Sequence, residues 1–143
     1  MKKLSKNIKM RFRVKTKGHC DFVDITEKVR ECVKAQGIKE GICLIFVAGS
    51  TVAVTTMEYE EGVKKDIHSV LEKYIPENYP WKHHLKWGDR NGAAHIRSAL
   101  IKPSLVVPIE KGDLVLGTWQ QIVLIDFDER EREREVIVKT VSL

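Results

Sequence analysis

The feature that most constrains this fold is the last third of the chain, where apolar stretches at 105–109, 114–116, 121–127 and 136–141 are separated by short polar links. Parallel neighbours need a crossover of a dozen residues or more, and these links are shorter. The tip Glu110-Lys111-Gly112-Asp113 predicts a hairpin, and residues 128–134 are expected to join the next two strands in the same way. Antiparallel sheets follow from both links.

Upstream, Ile8, Met10, Phe12 and Val14 alternate with Lys9, Arg11, Arg13 and Lys15, the period of a strand with one buried and one wet face. Asp24 and Thr26 offer helix caps ahead of Val29, Cys32, Val33 and Gln36, and Gly37 is a natural stop, which predicts a helix over 26–36. Residues 42–47 form a continuous apolar run that leads through Gly49-Ser50-Thr51 into the β-branched stretch 52–56. This reads as two buried strands, or as one strand broken by a bend at 48–50. Val63, Ile67, Val70, Leu71 and Tyr74 fall at helical spacing opposite Lys64, Lys65, Asp66, His68 and Glu72, predicting a second helix over about 60–75. Pro76 and Pro80 break that pattern, and a polar, aromatic segment runs on to Gly92. With 143 residues, one hydrophobic core is expected. The expected architecture is α+β: one compact domain over 1–143, with antiparallel, sandwich-like sheets and two main helices.

No run of eighteen apolar residues occurs, and the basic N-terminus has no apolar stretch of signal-peptide length behind it, so a cytoplasmic protein without membrane association is expected. Cys20, Cys32 and Cys43 are odd in number and widely spaced, which fits reduced core or surface residues better than a disulfide framework or a zinc ribbon. The formal charge of +5 favours anionic ligands in a general way. Nucleic-acid binding rests only on a pI near 9.1 and on Lys2, Lys3, Lys6, Lys9 and Arg11, and is not expected. Residues 129–135 alternate acid and base, as in a surface ion-pair network or a solvated edge.

Chemistry concentrates in residues 81–97, which hold three of the five histidines. A loop this long in a compact domain is functional or disordered, and Tyr79, Trp81 and Trp87 argue against disorder. Imidazoles and carboxylates are natural zinc or manganese ligands, and a nearby carboxylate can hold magnesium through water. His83 or His84, Asp89 and His95 converge if the loop folds back, although their spacing matches no local metal motif. Asn91-Gly92 is equally an ordinary turn pair, and Arg97 and Lys102 can pair with a phosphate or with a surface carboxylate. Gly49-Ser50-Thr51 either presents hydroxyls and N–H groups to an anion or is a plain bend. Glu58, at a strand end, is a base, a metal ligand or part of an acidic cap on the next helix. The amides and ring of Gly117-Thr118-Trp119-Gln120-Gln121 demand hydrogen-bond partners, at a subunit contact or a pocket wall. No nucleophile elbow and no nucleotide-binding glycine fingerprint is present.

In this order, Ala48-Gly49-Ser50-Thr51, Thr55-Thr56-Met57-Glu58-Tyr59-Glu60, Trp81-Lys82-His83, Asp89-Arg90-Asn91-Gly92, Ala94-His95-Ile96-Arg97-Ser98, Pro103-Ser104-Leu105 and Leu116-Gly117-Thr118-Trp119-Gln120 resemble the YjbQ family over nearly the whole chain. The resemblance implies a compact α+β fold, a homotrimer, and a histidine-lined pocket that often holds a metal. It further implies thiamine phosphate synthase activity, a transferase reaction that joins a pyrimidine methyl diphosphate to thiazole phosphate and releases pyrophosphate. Such a reaction calls for a divalent ion, Mg or Zn, for cationic groups on the leaving diphosphate, and for a water-poor pocket.

Carried over by position, the implied metal ligands are His83, His95 and Asp89, with His84 the alternative if the loop register shifts by one. The implied catalytic residues are Glu58, Asp89 and His95. The implied substrate contacts are Ser50, Thr51, Asn91, Arg97, Thr118, Trp119 and Gln120. Bacterial members usually read His-Thr-Thr or His-Thr-Ser where this chain has Gly49-Ser50-Thr51, and Gly88 and Ala93 also stand at loop positions where many relatives have histidine. The second expectation is therefore a non-catalytic trimeric module that binds a phosphorylated small metabolite, with the pocket retained and the metal lost.

Overall fold

A computed structural model describes residues 10–143; Ile8, and the basic residues Lys2, Lys3, Lys6 and Lys9, lie outside the described residues. Strand β1 (Arg11–Thr16) shows the expected alternation, with Phe12, Val14 and Thr16 buried and the three basic residues outward. Arg11 and Arg13 pair across the sheet with Glu135 and Glu133, at 2.7 and 3.6 Å. A short strand β2 (Asp21–Asp24), not foreseen, leads into helix α1 (Thr26–Gln36). Asp24 starts that helix by accepting Thr26 N–H at 3.0 Å and the Thr26 hydroxyl at 2.6 Å, and Gly37, at φ 71°, closes it in the left-handed region. Its buried stripe is Thr26, Val29, Cys32 and Val33.

Strands β3 (Gly41–Val47) and β4 (Val52–Met57) confirm the two-strand reading and part company at 48–51. Helix α2 (Glu61–Tyr74) is capped by Glu60, whose carboxylate accepts Val63 N–H at 2.8 Å. Then follow α3 (Lys82–Trp87), α4 (Gly92–Ile101), β5 (Ser104–Glu110), β6 (Asp113–Leu114), β7 (Gln121–Asp126) and β8 (Arg132–Ser142). All strand pairs are antiparallel, in two sheets ordered β1-β8-β3-β5-β6 and β2-β7-β4.

Two expectations are corrected. The described residues form four helices, not two main ones: α3 and α4 occupy what read as a loop. The β5–β6 hairpin forms, but β7 and β8 do not pair, because the link between them crosses from one sheet to the other. β8 instead fills the gap between β1 and β3, and β7 that between β2 and β4. Sheet-to-sheet links place residues at the corner between two cores, and here that corner carries charge.

The larger core lies under α1 and between the sheets, with Val29, Val33, Ile45, Val47, Val54, Ile122, Leu124, Val136 and Val138 among its members. A smaller core, around Ala53, Leu71, Ala94, Ile125 and Phe127, seats α2 and α4 on the other side of the three-stranded sheet. Helix α4 approaches β4 through small residues, and the Ser98 hydroxyl donates to Val52 C=O at 2.7 Å. All three cysteines are buried and outside any disulfide; burial pushes the Cys20 thiol up to about 12, and burial with neighbouring Cys32 does the same for Cys43. Both thiols are protonated at neutral pH. Among the described residues no helix is long and apolar enough to cross a membrane.

Candidate functional site

Gly92 determines how the site is built. A Cβ there would lie 2.7 Å from Trp81 Cβ and 2.8 Å from His84 Nε2, so only glycine lets α3 lie against the start of α4. Gly88, at φ 71°, ends α3 and turns the chain back through Asp89 to α4. The Trp81 indole N–H anchors the near side by donating to Pro76 C=O at 2.8 Å. Between α3 and α4 opens a cavity of about 480 Å³ with Tyr79, Pro80, Trp81 and Ile96 as apolar walls and Lys82, His83 and His95 as polar ones.

Of the residues expected from sequence, His83, Asp89 and His95 come together here. His83 and His95 have ring centroids 4.6 Å apart. His83 Nδ1 lies 3.1 Å from Asp89 Oδ1, an ion-pair distance without the alignment of a hydrogen bond. His95 Nδ1 lies 3.1 Å from Ser50 C=O. A carbonyl only accepts, so His95 Nδ1 carries a proton and, in the neutral ring, Nε2 presents its lone pair. Asn91 shapes the turn: its N–H donates to Asp89 Oδ1 at 3.0 Å, and its side-chain carbonyl accepts Glu129 N–H at 3.0 Å. His84 points elsewhere, its Nε2 buried against Gly92 without a hydrogen-bond partner among the described residues.

Glu58, Arg97 and residues 118–120 stand apart from this pocket. β4 is six residues long, roughly 20 Å end to end. Ser50 and Thr51 precede it, whereas Glu58 follows it and the Gln120 amide donates to Thr56 near its far end, at 3.0 Å. Gln120 lines a different groove of about 320 Å³, together with Thr55, Thr56 and Ser104, and none of that groove's lining side chains titrates. Thr118 and Trp119 are exposed beside it. Arg97 is fully buried and turned to α2, donating to Ile75 C=O from Nε and Nη2 at 3.2 and 2.8 Å and to Glu72 at 2.6 Å.

Thr51 is buried as well, and its hydroxyl is spent on a network that sequence reasoning missed. Arg134 grips Asp126 through Nε and Nη2, at 2.7 and 2.9 Å, and Nη2 also donates to the Thr51 hydroxyl at 2.7 Å. Thr51 donates in turn to Asp128 Oδ2 at 2.8 Å, and Thr16 donates to Asp126 at 2.6 Å. The signal lay in Glu131-Arg132-Glu133-Arg134-Glu135: at a period of two, the arginines share one face of β8 and the glutamates the other. Gly49 belongs to the same corner. A Cβ there would lie 2.8 Å from Arg134 Nη1 and equally close to Val52, so the side-chain space at position 49 is already filled.

Burial raises the Asp128 carboxyl, but hydrogen bonds from Thr51, Arg132 and Arg130 N–H outweigh it and hold the group below the usual carboxylate range. A folded-state value below the unfolded one, near 3.9, stabilises the fold at higher pH, and that stabilisation disappears as pH falls through the folded value. Asp128→Asn is therefore expected to flatten the acid limb of the stability–pH profile below about pH 4. Urea titrations giving the same acid limb for both proteins would refute this role.

With this geometry in view, comparison with known proteins gives a consistent answer. The family model described as UPF0047 protein YjbQ-like matches residues 10–142. This chain belongs to the YjbQ-like UPF0047 family. A UPF0047 protein of Archaeoglobus fulgidus is 37% identical over 132 residues, 92% of this chain and 100% of its own length. A second, from Bacillus subtilis, is 36% identical over 118 residues, 81% of this chain and 86% of its own. A crystal structure of a YbjQ-like protein of unknown function from Sulfolobus solfataricus superimposes with a TM-score of 0.87 at 38% identity, covering 93% of this chain and 95% of that one. An uncharacterised YjbQ/UPF0047 protein of Clostridium acetobutylicum gives 0.84 at 34%, covering 93% and 100%.

The descriptions of these YjbQ-like proteins attach no activity to the family, so the thiamine phosphate synthase and transferase expectation is not carried forward. The metal-binding expectation is corrected by the geometry. Among the described residues no group of three or more His, Cys, Asp or Glu side chains is placed to hold a metal ion.

Proposed function

We propose that this YjbQ-like chain binds a small phosphorylated metabolite with a planar ring, in the cavity between α3 and α4 and without a protein-held metal. One observation carries the reading: His95, its Nδ1 turned to the Ser50 carbonyl, His83, beside Asp89, and a lysine face a pocket whose other walls are Tyr79, Trp81 and Ile96. Aromatic walls suit the flat face of a ring, the Lys82 ammonium suits phosphate oxygens, and the His95 Nε2 lone pair accepts from a phosphate hydroxyl. The net charge of +5 favours the same sign of ligand. Thiazole phosphate, titrated while the His83 and His95 ring resonances are followed, is expected to bind saturably and to lose affinity by tenfold or more, about 1.4 kcal/mol, on His95→Ala or on removal of its phosphate. Resonances that do not move, or binding indifferent to His95→Ala, would sink the reading.

Assembly as a homotrimer belongs to the same proposal, supported by the outer face of the five-stranded sheet. Leu44, Phe46, Val106 and Val141 are 40, 37, 57 and 54% exposed there, an apolar face interrupted by Lys139, of the kind subunit contacts cover. Sedimentation equilibrium is expected to give three times the chain mass, and Leu44→Glu to give one. A monomeric wild type would contradict the assembly. Buried cysteines outside any disulfide fit a reducing compartment, which supports a cytoplasmic location.

A further inference from the structure

The buried network under the pocket reaches the pocket histidine through a single peptide plane. We propose that Thr51 is a positioning residue for His95: held by Arg134 and Asp128, its hydroxyl sets the aim of the Ser50 carbonyl and so selects which ring nitrogen of His95 carries the proton.

Each link is geometric. Asp126 is fully buried, and its oxygens take two N–H groups of Arg134 and the Thr16 hydroxyl, so the guanidinium is fixed in place from β7 and β1. The Thr51 hydroxyl receives a hydrogen bond from Arg134 Nη2 at 2.7 Å and gives one to Asp128 Oδ2 at 2.8 Å. A hydroxyl with one bond in and one bond out has no rotational choice left. The Thr51 carbonyl is tied as well, by Phe127 N–H at 2.9 Å. The Ser50 carbonyl and the Thr51 nitrogen share one planar peptide, so fixing Thr51 at side chain and carbonyl places that nitrogen and leaves the Ser50 oxygen only the swing about the Thr51 N–Cα bond. Ser50 itself is exposed, and the aim comes from its neighbour. That oxygen holds His95 Nδ1 at 3.1 Å, which leaves Nε2 as the acceptor in the neutral ring.

Asp128 extends the device to the opposite wall. Its Oδ1 takes Arg130 N–H at 3.2 Å and faces the Asn91 amide at 3.5 Å, and Asn91 N–H bonds Asp89, the partner of His83. One buried carboxylate thus stands behind both imidazoles.

The tautomer claim concerns the unliganded protein; only its effect on affinity rests on the pocket reading proposed above. The test uses the full chain with 15N-labelled histidine, comparing wild type with Thr51→Val, which keeps shape and loses the hydroxyl, Thr51→Ser, which restores it, and Thr51→Cys as a second weakly bonding variant. Long-range 1H–15N spectra are expected to show His95 protonated at Nδ1 in wild type and Thr51→Ser, and as a mixture of tautomers in Thr51→Val and Thr51→Cys. Thiazole phosphate affinity should fall on the order of tenfold in the latter two, the size typical of losing an orienting partner. Unchanged tautomer populations in the folded Val or Cys variant would overturn the proposal, as would failure of Thr51→Ser to behave as wild type. A tautomer change in a protein whose histidine resonances ignore thiazole phosphate would sustain the positioning role and overturn the pocket reading instead.

Discussion

Asp126→Ala is expected to destabilise the fold by about 3–5 kcal/mol, the cost of removing one partner from a buried ion pair. Asp126 is fully buried and Arg134 is 8% exposed, so the guanidinium left behind has no route to water without opening the corner between β7 and β8. Asp128, 3.8 Å from Arg134 Nη2, compensates only in part because it already serves Thr51, Arg132 and the Arg130 N–H. The urea midpoint should fall with little change in slope, and Tm should drop on the order of 10 °C. A double replacement, Asp126→Leu with Arg134→Leu, should recover much of the loss, since desolvating the pair offsets most of its attraction. A single variant within about 1 kcal/mol of wild type would show that the pair does not bear on stability, and a double variant worse than the single would show that desolvation does not offset its attraction.

That corner also shows what sequence can and cannot reveal. Where local pattern decides structure, reading succeeded: the cap and stop around 26–36 match α1 to the residue, and the helical spacing from Val63 to Tyr74 matches α2 to within a residue at each end. It failed where burial is decided by distant partners. Residues 129–135 look solvated because their composition is charged, yet Arg134 is buried by Asp126, Thr51 and the sheet switch that brings them together. Helix α4 was hidden because its buried face is made of glycine, alanines, a serine and an arginine, and because Asn91-Gly92 reads equally well as a turn. The histidine site was legible in part, since His83, Asp89 and His95 lie on one reversal of the chain. Glu58 and residues 118–120 were grouped with them by their order in the chain, and order does not reveal that β4 holds Ser50 and Gln120 at opposite ends.

Arg97 separates the two kinds of reading most sharply. A substrate-binding arginine is spare in the empty fold, so its replacement costs affinity and leaves stability within about 0.5 kcal/mol. Arg97 is instead fully buried, and its guanidinium sits 5.9 Å from the Phe127 ring, ties the carbonyl of Ile75 twice, bonds Glu72 and lies 3.9 Å from Glu77. It clamps the end of α2 and the following Pro-bounded turn onto α4, and that turn carries Tyr79 and Trp81 into the pocket. Arg97→Ala should therefore cost about 3–5 kcal/mol, combining a cavity with lost charge-assisted hydrogen bonds at the helix end. Arg97→Lys should recover only part of it, because an ammonium cannot reproduce the fork that reaches Ile75 and Glu72 together. Hydrogen exchange should speed up first at Ile75 N–H, which closes α2 on Leu71 at 2.7 Å, and along the last turn of that helix. Normal stability in Arg97→Ala, with thiazole phosphate binding abolished, would return Arg97 to the ligand and require the end of α2 to be held by something else.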